Sequence, residues 1–566
     1  MQGEDADMTP TTPKTPISAH VDTFACDRLP PAEAQPVYRF DLPELQFPPQ
    51  LNCAAALLDG AIDRGWGERP AVLATDGTRW TYADLRAKAD AIAHVLVDEQ
   101  GLVPGNRVLL RGSNTPMLAA CWFGVVKDGG IAVATMPLLR AKELRQVCAK
   151  AQVSHALCDA TLMEELALAR PDCPTLRHVT PFRDAGDAGL EHAMARHARP
   201  FEAVDTANDD TCLLAFTSGT TGEPKATMHF HRDVMAACAC WPPHMLRATP
   251  DDVFIGTPPL GFTFGLGGLL LFPLAAGAST VLLDKPSPPA LLEAIARCGA
   301  TILFTAPTTY RAIAAAAREQ RVSVALGGRL RKCVSAGEAL PAATRTLWRD
   351  ATGIEIIDGI GSTELLHIFV SADEAHARGG ATGVAVPGYE ACILDDAGQP
   401  VPRGQVGRLA VRGPTGCRYL DDARQAQYVQ HGWNLTGDAY LQDADGYFVY
   451  QARTDDMIIS AGYNIAAPEV EASLLEHPAV AEAAVIGWPD EERGQVVKAY
   501  VVPRAGHAPD AALAKALQEH VKRSIAPYKY PRAIEFLTEL PRTATGKLQR
   551  FRLRTGTTGT TNKADA

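Results

Sequence analysis

The chain is poor in everything that would mark a metal ribbon, a disulfide frame, a nucleic-acid binder or a membrane span. Its 13 cysteines are scattered, none forms a Cys-x-x-Cys pair, and the tightest spacing is Cys238 to Cys240. That pattern fits reduced, mostly buried thiols in a cytoplasmic protein and excludes a disulfide scaffold or a zinc ribbon. There is no basic excess: the formal net charge is -11, against the cationic face that nucleic-acid binding requires. The first 25 residues are rich in Asp, Glu, Thr and Pro and lack the apolar core of a secretory signal, so they are expected to form a disordered tail. No apolar run is left unbroken. Residues 253–283 carry no charge, but Pro258, Pro259, Pro273 and six glycines interrupt them and no basic flank borders them. A buried helix followed by a buried strand at Ser279 to Leu283 is expected there, not a membrane helix. No internal repeat is present, and the Gly/Thr-rich residues 556–566 are expected to be a second disordered tail.

What is present is a large soluble α/β protein. A chain of 566 residues, with 46% hydrophobic and 21% charged residues, exceeds one hydrophobic core and calls for at least two domains. Short apolar runs at Arg107 to Leu110, Ile131 to Ala134, Cys212 to Phe216, Thr301 to Phe304, Lys332 to Ser335 and Ile354 to Asp358 alternate with helical patterns. One of these helices opens on the capping box Thr81-Tyr82-Ala83-Asp84. Such alternation predicts layered α/β sheets. Residues 383–450 turn rich in Gly, Pro and Val, which suggests a small β subdomain. A new unit begins near Asp455, with helices at Pro468 to Glu476 and Asp510 to Ser524 between apolar strands.

Four segments carry the chemistry. The first is Thr217-Ser218-Gly219-Thr220-Thr221-Gly222-Glu223-Pro224-Lys225. Hydroxyls, backbone N–H groups that glycine leaves uncovered, and a lysine are what a polyphosphate needs around its oxygens. It is not a Walker A loop: Pro224 stands where the second glycine belongs, and Ala226 follows the lysine. A flexible surface loop is the plainer alternative. The second is Asp358-Gly359-Ile360-Gly361-Ser362-Thr363-Glu364. It is expected on a loop at the end of a strand, where α/β folds place ligands, with Thr363 for a phosphate oxygen and Glu364 for Mg²⁺. A Gly-rich turn is equally compatible with it. The third is Leu435-Thr436-Gly437-Asp438 with Arg453, able to hold two ribose hydroxyls or simply to make a turn. The fourth is Thr543-Ala544-Thr545-Gly546-Lys547, in which a lysine sits on a Gly-containing loop.

Together and in this order, from Thr217 to Lys547, these segments resemble the adenylate-forming superfamily of acyl-CoA synthetases, adenylation domains and luciferases. The resemblance implies an N-terminal domain at 26–454, built of layered α/β sheets and a small β subdomain. A mobile α+β domain at 455–555 would follow. It implies that ATP and a carboxylic acid form an acyl-adenylate, which a thiol then displaces. Thr217, Ser218, Gly219, Thr220, Thr221, Gly222 and Lys225 would grip pyrophosphate. Ala336, Gly337 and Glu338 would face adenine together with Asp358, Gly359 and Ile360. Thr363 and Glu364 would hold phosphate and Mg²⁺, and Asp438 and Arg453 the ribose. Lys547 would bridge the reacting carboxylate and phosphate oxygens. Asp455 would be the hinge, and the loop at Gly462 would face coenzyme A.

Ile360 departs from the tyrosine common at its position. Asp358 to Phe369 and Ala544 to Phe551 resemble the benzoate-CoA ligase group. Met228 to Asp233 and Pro258 to Gly267 resemble 2-aminobenzoate-CoA ligases more closely. An acid pocket walled by His231, Phe262, Thr263, Phe264, Ala336 and His367 is implied, with His367 one helical turn from Glu364. Phenyl rings suit a flat aromatic acid. No acidic residue lies between Val253 and Leu283, so a free α-amino acid is not expected. No carrier-protein serine motif follows Lys547, which favours coenzyme A over a tethered thiol. The enzyme is expected to be a monomer or a homodimer. Three other readings stay open: loading of a separate carrier protein, a non-aromatic acid, and a non-catalytic relative.

Overall fold

The computed structural model describes residues 17–217, 224–320, 329–453, 457–460, 463–490, 493–525, 527–542 and 548–554. Two large sheets carry the N-terminal part. A six-stranded sheet runs in the order His178–Phe182, His155–Asp159, Arg107–Arg111, Ile131–Thr135, Thr211–Thr217, Lys225–Phe230. It is parallel except for its last strand, which folds back antiparallel on Thr211–Thr217. A nine-stranded sheet is parallel from Ile356–Gly361 through Lys332–Ser335, Ile302–Thr305, Val253–Gly256 and Ser279–Leu282 to Pro70–Ala74. Antiparallel strands close both of its ends.

One hydrophobic core joins the two sheets. Val72, Phe254 and Phe304 from the larger sheet meet Val108, Ala132 and Leu213 from the smaller one. Between them lie the helices Cys53–Asp63, Tyr82–His94, Pro116–Lys127 and His231–Trp241. The helix at Tyr82 starts where the sequence places it. Thr81 Oγ1 accepts from the Asp84 N–H at 3.1 Å, and the Asp84 carboxylate accepts from the Thr81 N–H at 2.9 Å.

The uncharged stretch 253–283 is consumed within this core as a strand, three short buried helical turns and the strand Ser279–Leu282. Among the described residues no helix is long and apolar enough to cross a membrane. Residues 17–25, assigned to the tail by composition, are docked instead. Ser18 Oγ and the Ala19 N–H donate to Asp210, Asp22 pairs with Arg107, and Ala25 is fully buried. Buried polar partners far along the chain hold this segment, so its own composition gives no sign of it.

A five-stranded antiparallel sheet follows, built on Glu390–Leu394, Val406–Arg412, Trp433–Gln442 and Phe448–Arg453. The C-terminal part is another five-stranded sheet, with Gly494–Pro503 at its centre, paired with Val480–Asp490, Met457–Ser460 and Ala533–Phe536. Helices Ala467–Glu476 and Ala511–Ser524 bury Val470, Leu474, Leu517 and Val521 against it.

Candidate active site

The phosphate-loop motif is a β-hairpin whose described ends meet at Thr217 and Lys225, paired in register. Ser218, Gly219, Thr220, Thr221 and Gly222 lie outside the described residues, as do Asp455, Gly462 and Lys547. The second strand of the hairpin, Lys225–Phe230, is the edge of the six-stranded sheet, and residues 418–420 of the small β subdomain cover it. The Met228 N–H donates to the Arg418 carbonyl at 2.7 Å, and the Leu420 N–H to the Ala226 carbonyl at 2.8 Å. This pairing brings Tyr419 over the hairpin. The Lys225 ammonium donates to the Tyr419 hydroxyl at 2.8 Å and lies 4.8 Å from that ring's centroid. The same hydroxyl donates to Glu364 Oε1 at 2.5 Å, and Lys225 Nζ stands 3.6 Å from that oxygen. Lys225, Tyr419 and Glu364 are one charge-paired cluster on three chain segments.

The turn carrying Thr363 and Glu364 is tied to the hairpin from below. His229 Nε2 is 2.8 Å from the Thr363 carbonyl. Ser362 Oγ meets the Tyr428 hydroxyl at 3.1 Å, and Thr415 Oγ1 donates to the Leu365 carbonyl at 2.8 Å. Two expectations about this turn fail. Gly359, Ile360 and Gly361 are not loop residues but the end of the strand Ile356–Gly361, paired with Ile368–Ser371. The glycines are needed there for close packing: a Cβ on Gly359 would meet Ile368 at 2.8 Å, and one on Gly361 the His367 backbone at 2.6 Å. His367 is also not one helical turn beyond Glu364. Leu366 adopts φ 69°, which breaks any helix and sends the two side chains to different surroundings.

His367 sits in a nest of rings. Its centroid is 4.4 Å from Phe272, 5.7 Å from Phe264 and 5.9 Å from Trp241. Neither ring nitrogen makes a hydrogen bond of good geometry, although the Phe264 backbone lies close enough to favour the protonated ring. Burial pushes its pKa down to about 3, so the imidazole is neutral at pH 7. Gly267 makes room for it: a Cβ there would lie 2.4 Å from His367 Cδ2. Phe264 shares the nest, and Thr263 is buried at the start of its turn, with Phe262 half-buried just before. Asn114 pins the preceding segment, accepting from the Leu260 N–H at 2.8 Å and donating to the Pro258 carbonyl at 2.9 Å. His231, placed with the acid pocket by sequence, lies elsewhere. It is fully buried at the start of its helix and its Nδ1 accepts from the Cys53 N–H at 3.1 Å.

Two adjoining parallel strands bring together the residues expected to face adenine. Ser335 and Asp358 are register partners, so Ala336, Gly337 and Glu338 follow one strand end beside Gly359 and Ile360 on its neighbour. Gly337 has φ 88° and open space where a Cβ would stand. Burial lifts the Asp358 carboxyl to about 7, with Arg345 and the Gly359 N–H offsetting part of the rise. A raised carboxyl stabilises the native state fully below its unfolded value, 3.8, and that contribution is lost as pH climbs through about 7. Asp358→Asn is therefore expected to stabilise the protein by about 2–3 kcal/mol more at pH 8 than at pH 5. Urea midpoints at the two pH values test this, and equal gains at both would contradict it. Asp438 and Arg453 are cross-strand partners on the small sheet, 3.1 Å apart.

Tyr419 and Tyr428 were invisible to motif reading. They lie far along the chain from Lys225 and Ser362, and no spacing rule links them. Only the pairing of residues 418–420 with the hairpin edge reveals Tyr419, and only its contact with Ser362 reveals Tyr428.

Fold and site together define an adenylate-forming enzyme. The chain belongs to the AMP-binding enzyme family, which matches residues 61–418, with the AMP-binding enzyme C-terminal domain matching residues 469–547. It is similar to the benzoate-CoA ligase of Thauera aromatica, 35% identical over 519 residues that cover 90% of this chain and 97% of that protein. Among solved structures it resembles the anthranilate CoA ligase AuaEII in complex with anthranoyl-AMP, with a TM-score of 0.85 and 34% identity over 91% of this chain and 99% of that one. A benzoate CoA ligase from Burkholderia xenovorans LB400 gives a TM-score of 0.80 and 31% identity, covering 89% and 100%.

Proposed function

We propose that the protein is an ATP-dependent aryl-CoA ligase. It joins a benzoate-type acid, 2-aminobenzoate by preference, to coenzyme A through an acyl-adenylate, with release of pyrophosphate and AMP. The observation that carries the aromatic acid is the apolar ring nest around His367, in which Phe264, Phe272 and Trp241 surround a neutral imidazole. Rings at these separations favour a planar guest by edge and stacking contacts. The benzoate- and anthranilate-activating relatives support the same class.

The chemistry asked of the chain is mostly charge placement. A carboxylate approaching an α-phosphate meets like-charge repulsion, so cations and donors aimed at both groups lower the barrier. Lys225 and the Thr217 hydroxyl, whose oxygen is buried with no partner, suit the outgoing phosphates. In this reading Lys225 leaves Glu364 for ATP, which frees the carboxylate. Glu364 and Thr363 offer the hard oxygen ligands that Mg²⁺ takes, and Mg²⁺ would neutralise phosphate charge there. Asp438 and Arg453 would orient the ribose, and Gly337 would leave room for the base. Lys547 would bridge the reacting groups, and rotation at Asp455 would then bring the Gly462 loop to face coenzyme A. No protein nucleophile takes part.

AMP formation with ATP, Mg²⁺ and coenzyme A across benzoate, 2-aminobenzoate, salicylate, 4-hydroxybenzoate, cinnamate, octanoate and acetate tests this. A preference for an ortho-substituted benzoate is expected. Preference for octanoate or acetate would remove the aromatic assignment. Pyrophosphate exchange without AMP release on adding coenzyme A would favour a carrier-protein thiol.

A further inference from the structure

The strand Lys225–Phe230 touches the Thr363–Glu364 turn at two places, one a charge contact and the other a backbone tie. Lys225 and His229 stand four residues apart on this strand, so their side chains leave the same face. Lys225 Nζ is 3.6 Å from Glu364 Oε1. His229, about 13 Å further along the backbone, is fully buried and brings Nε2 to 2.8 Å from the Thr363 carbonyl. A carbonyl only accepts, so Nε2 carries the proton. The other ring nitrogen, Nδ1, is 3.7 Å from Asp233 Oδ2, outside hydrogen-bond distance. That oxygen already accepts from Arg418 at 2.6 Å and from the Phe230 N–H at 3.0 Å. Among the described residues the Thr363 carbonyl is therefore the ring's one hydrogen-bond partner.

We propose that His229 is a positioning residue for adenylation: its Nε2–H fixes the Thr363–Glu364 turn against the phosphate hairpin, in reach of Lys225. This rests on the assignment of Thr363 and Glu364 to phosphate and Mg²⁺ made above. The turn calls for an outside tie. From within, the Thr363 carbonyl accepts only the Leu366 N–H, at 3.2 Å. Leu366 is left-handed at φ 69°, a costly conformation for a branched side chain, and such a turn keeps its shape only when its surroundings hold it. His229 supplies a second donor to the same oxygen. Its ring ends on a backbone carbonyl inside the protein, so it acts through Thr363 and Glu364 and touches no reacting group.

His229 and Lys225 thus give one strand control over both ends of the pair that meets the phosphates. Lys225 moves when ATP arrives, whereas the bond from His229 does not involve charge that ATP displaces. The turn keeps its place after Lys225 has left Glu364, which is when the carboxylate takes up Mg²⁺. A misplacement of about 1 Å at such a point costs up to roughly a hundredfold in rate.

The test compares H229Q, H229N and H229L by ATP–pyrophosphate exchange over a Mg²⁺ titration, with thermal midpoints measured alongside. Glutamine can bring an amide N–H to the place of Nε2, asparagine falls one bond short, and leucine has no donor. H229N and H229L are expected to lose about 10–100-fold in maximal exchange rate and to need about fivefold more Mg²⁺, with KM for the aromatic acid within about twofold of wild type. H229Q is expected to return to within about threefold of wild type. Packing damage alone would follow the thermal midpoints and would not single out glutamine. Equal losses in soluble H229Q and H229N, or a raised acid KM with the Mg²⁺ requirement unmoved, would overturn the proposal. A crystal structure of the wild-type enzyme with Mg²⁺ and a non-reactive ATP analogue tests it without any variant. The bond from Nε2 to the Thr363 carbonyl is expected to persist, and opening beyond about 3.5 Å would overturn the proposal. Wild-type protein that exchanges with no acid would overturn the ligase reading and this role together. Wild-type exchange that H229N matches would overturn this role alone.

Discussion

Asp233→Ala is expected to destabilise the fold by about 3–5 kcal/mol, because it strands a buried arginine without its counter-ion. Arg418 Nη1 lies 2.6 Å from Asp233 Oδ2, and both side chains are fully buried. The guanidinium is stacked over Phe230 at 3.8 Å and Tyr38 at 4.5 Å, so it cannot swing to water. Burial alone would lift the Asp233 carboxyl. Arg418, and then His229, overcome this and hold it down to about 2. A depressed carboxyl contributes stability above its unfolded value of 3.8, and the contribution is lost as pH falls through about 2. That part of the pair amounts to about 2 kcal/mol. The pair is also incompletely bonded: Asp233 Oδ1 and Arg418 Nε and Nη2 have no partner. For that reason Asp233→Leu combined with Arg418→Met is expected to recover most of the single-variant loss. Urea midpoints of the two single variants and the double variant check both statements. A single-variant loss below about 1 kcal/mol would show that the pair is solvated.

Glu364→Gln is expected to lower ATP–pyrophosphate exchange about 10²–10³-fold with little change in thermal stability. Glutamine keeps the shape and the contact with the Tyr419 hydroxyl but removes the charge that faces Lys225 at 3.6 Å and would hold Mg²⁺. Tyr419→Phe retains that charge but removes the hydroxyl that donates to Glu364 and accepts from Lys225, so a loss of about tenfold is expected from these two charge-assisted hydrogen bonds. Exchange rates measured over a Mg²⁺ titration distinguish the two. Glu364→Gln should shift the Mg²⁺ requirement upward, whereas Tyr419→Phe should leave it in place. Wild-type exchange in Glu364→Gln would remove the carboxylate from the metal and phosphate chemistry.

Local signals in the sequence translated well into structure. The capping box at Thr81 and Asp84 needs only residues three apart, and it forms. The strands at Arg107, Ile131 and Lys332 are short apolar runs and appear within a residue or two of their expected bounds. Expectations failed where a long-range neighbour decided the local shape. Gly359 and Gly361 look like loop residues because glycine is common in loops; here they let Ile368 and the His367 backbone come close. The helical spacing of Glu364 and His367 suggested a shared face, which the left-handed Leu366 removes. His231 was drawn to the acid pocket by resemblance, whereas Cys53, 178 residues away, holds its ring. The cluster of Lys225, Tyr419 and Glu364 spans a strand edge, a turn and a connecting segment bridged to that edge. No pattern of spacing along one chain encodes such a meeting.

The pairing of residues 418–420 with the strand Lys225–Phe230 has a consequence for the order of assembly. While the chain is being made, the hairpin and its sheet can form once residue 230 has emerged. The outer edge of that strand then has no backbone partner until nearly 190 further residues have been synthesised. During this interval Ala226-Thr227-Met228-His229-Phe230 is an apolar strand with an open ladder, the kind of edge that recruits other chains. Loop closure over such a separation is also slow to nucleate. The cluster of Lys225, Tyr419 and Glu364 would thus be among the last parts of the N-terminal region to mature. Yield on expression would then depend on synthesis rate and chaperone supply more than on the final stability of the fold.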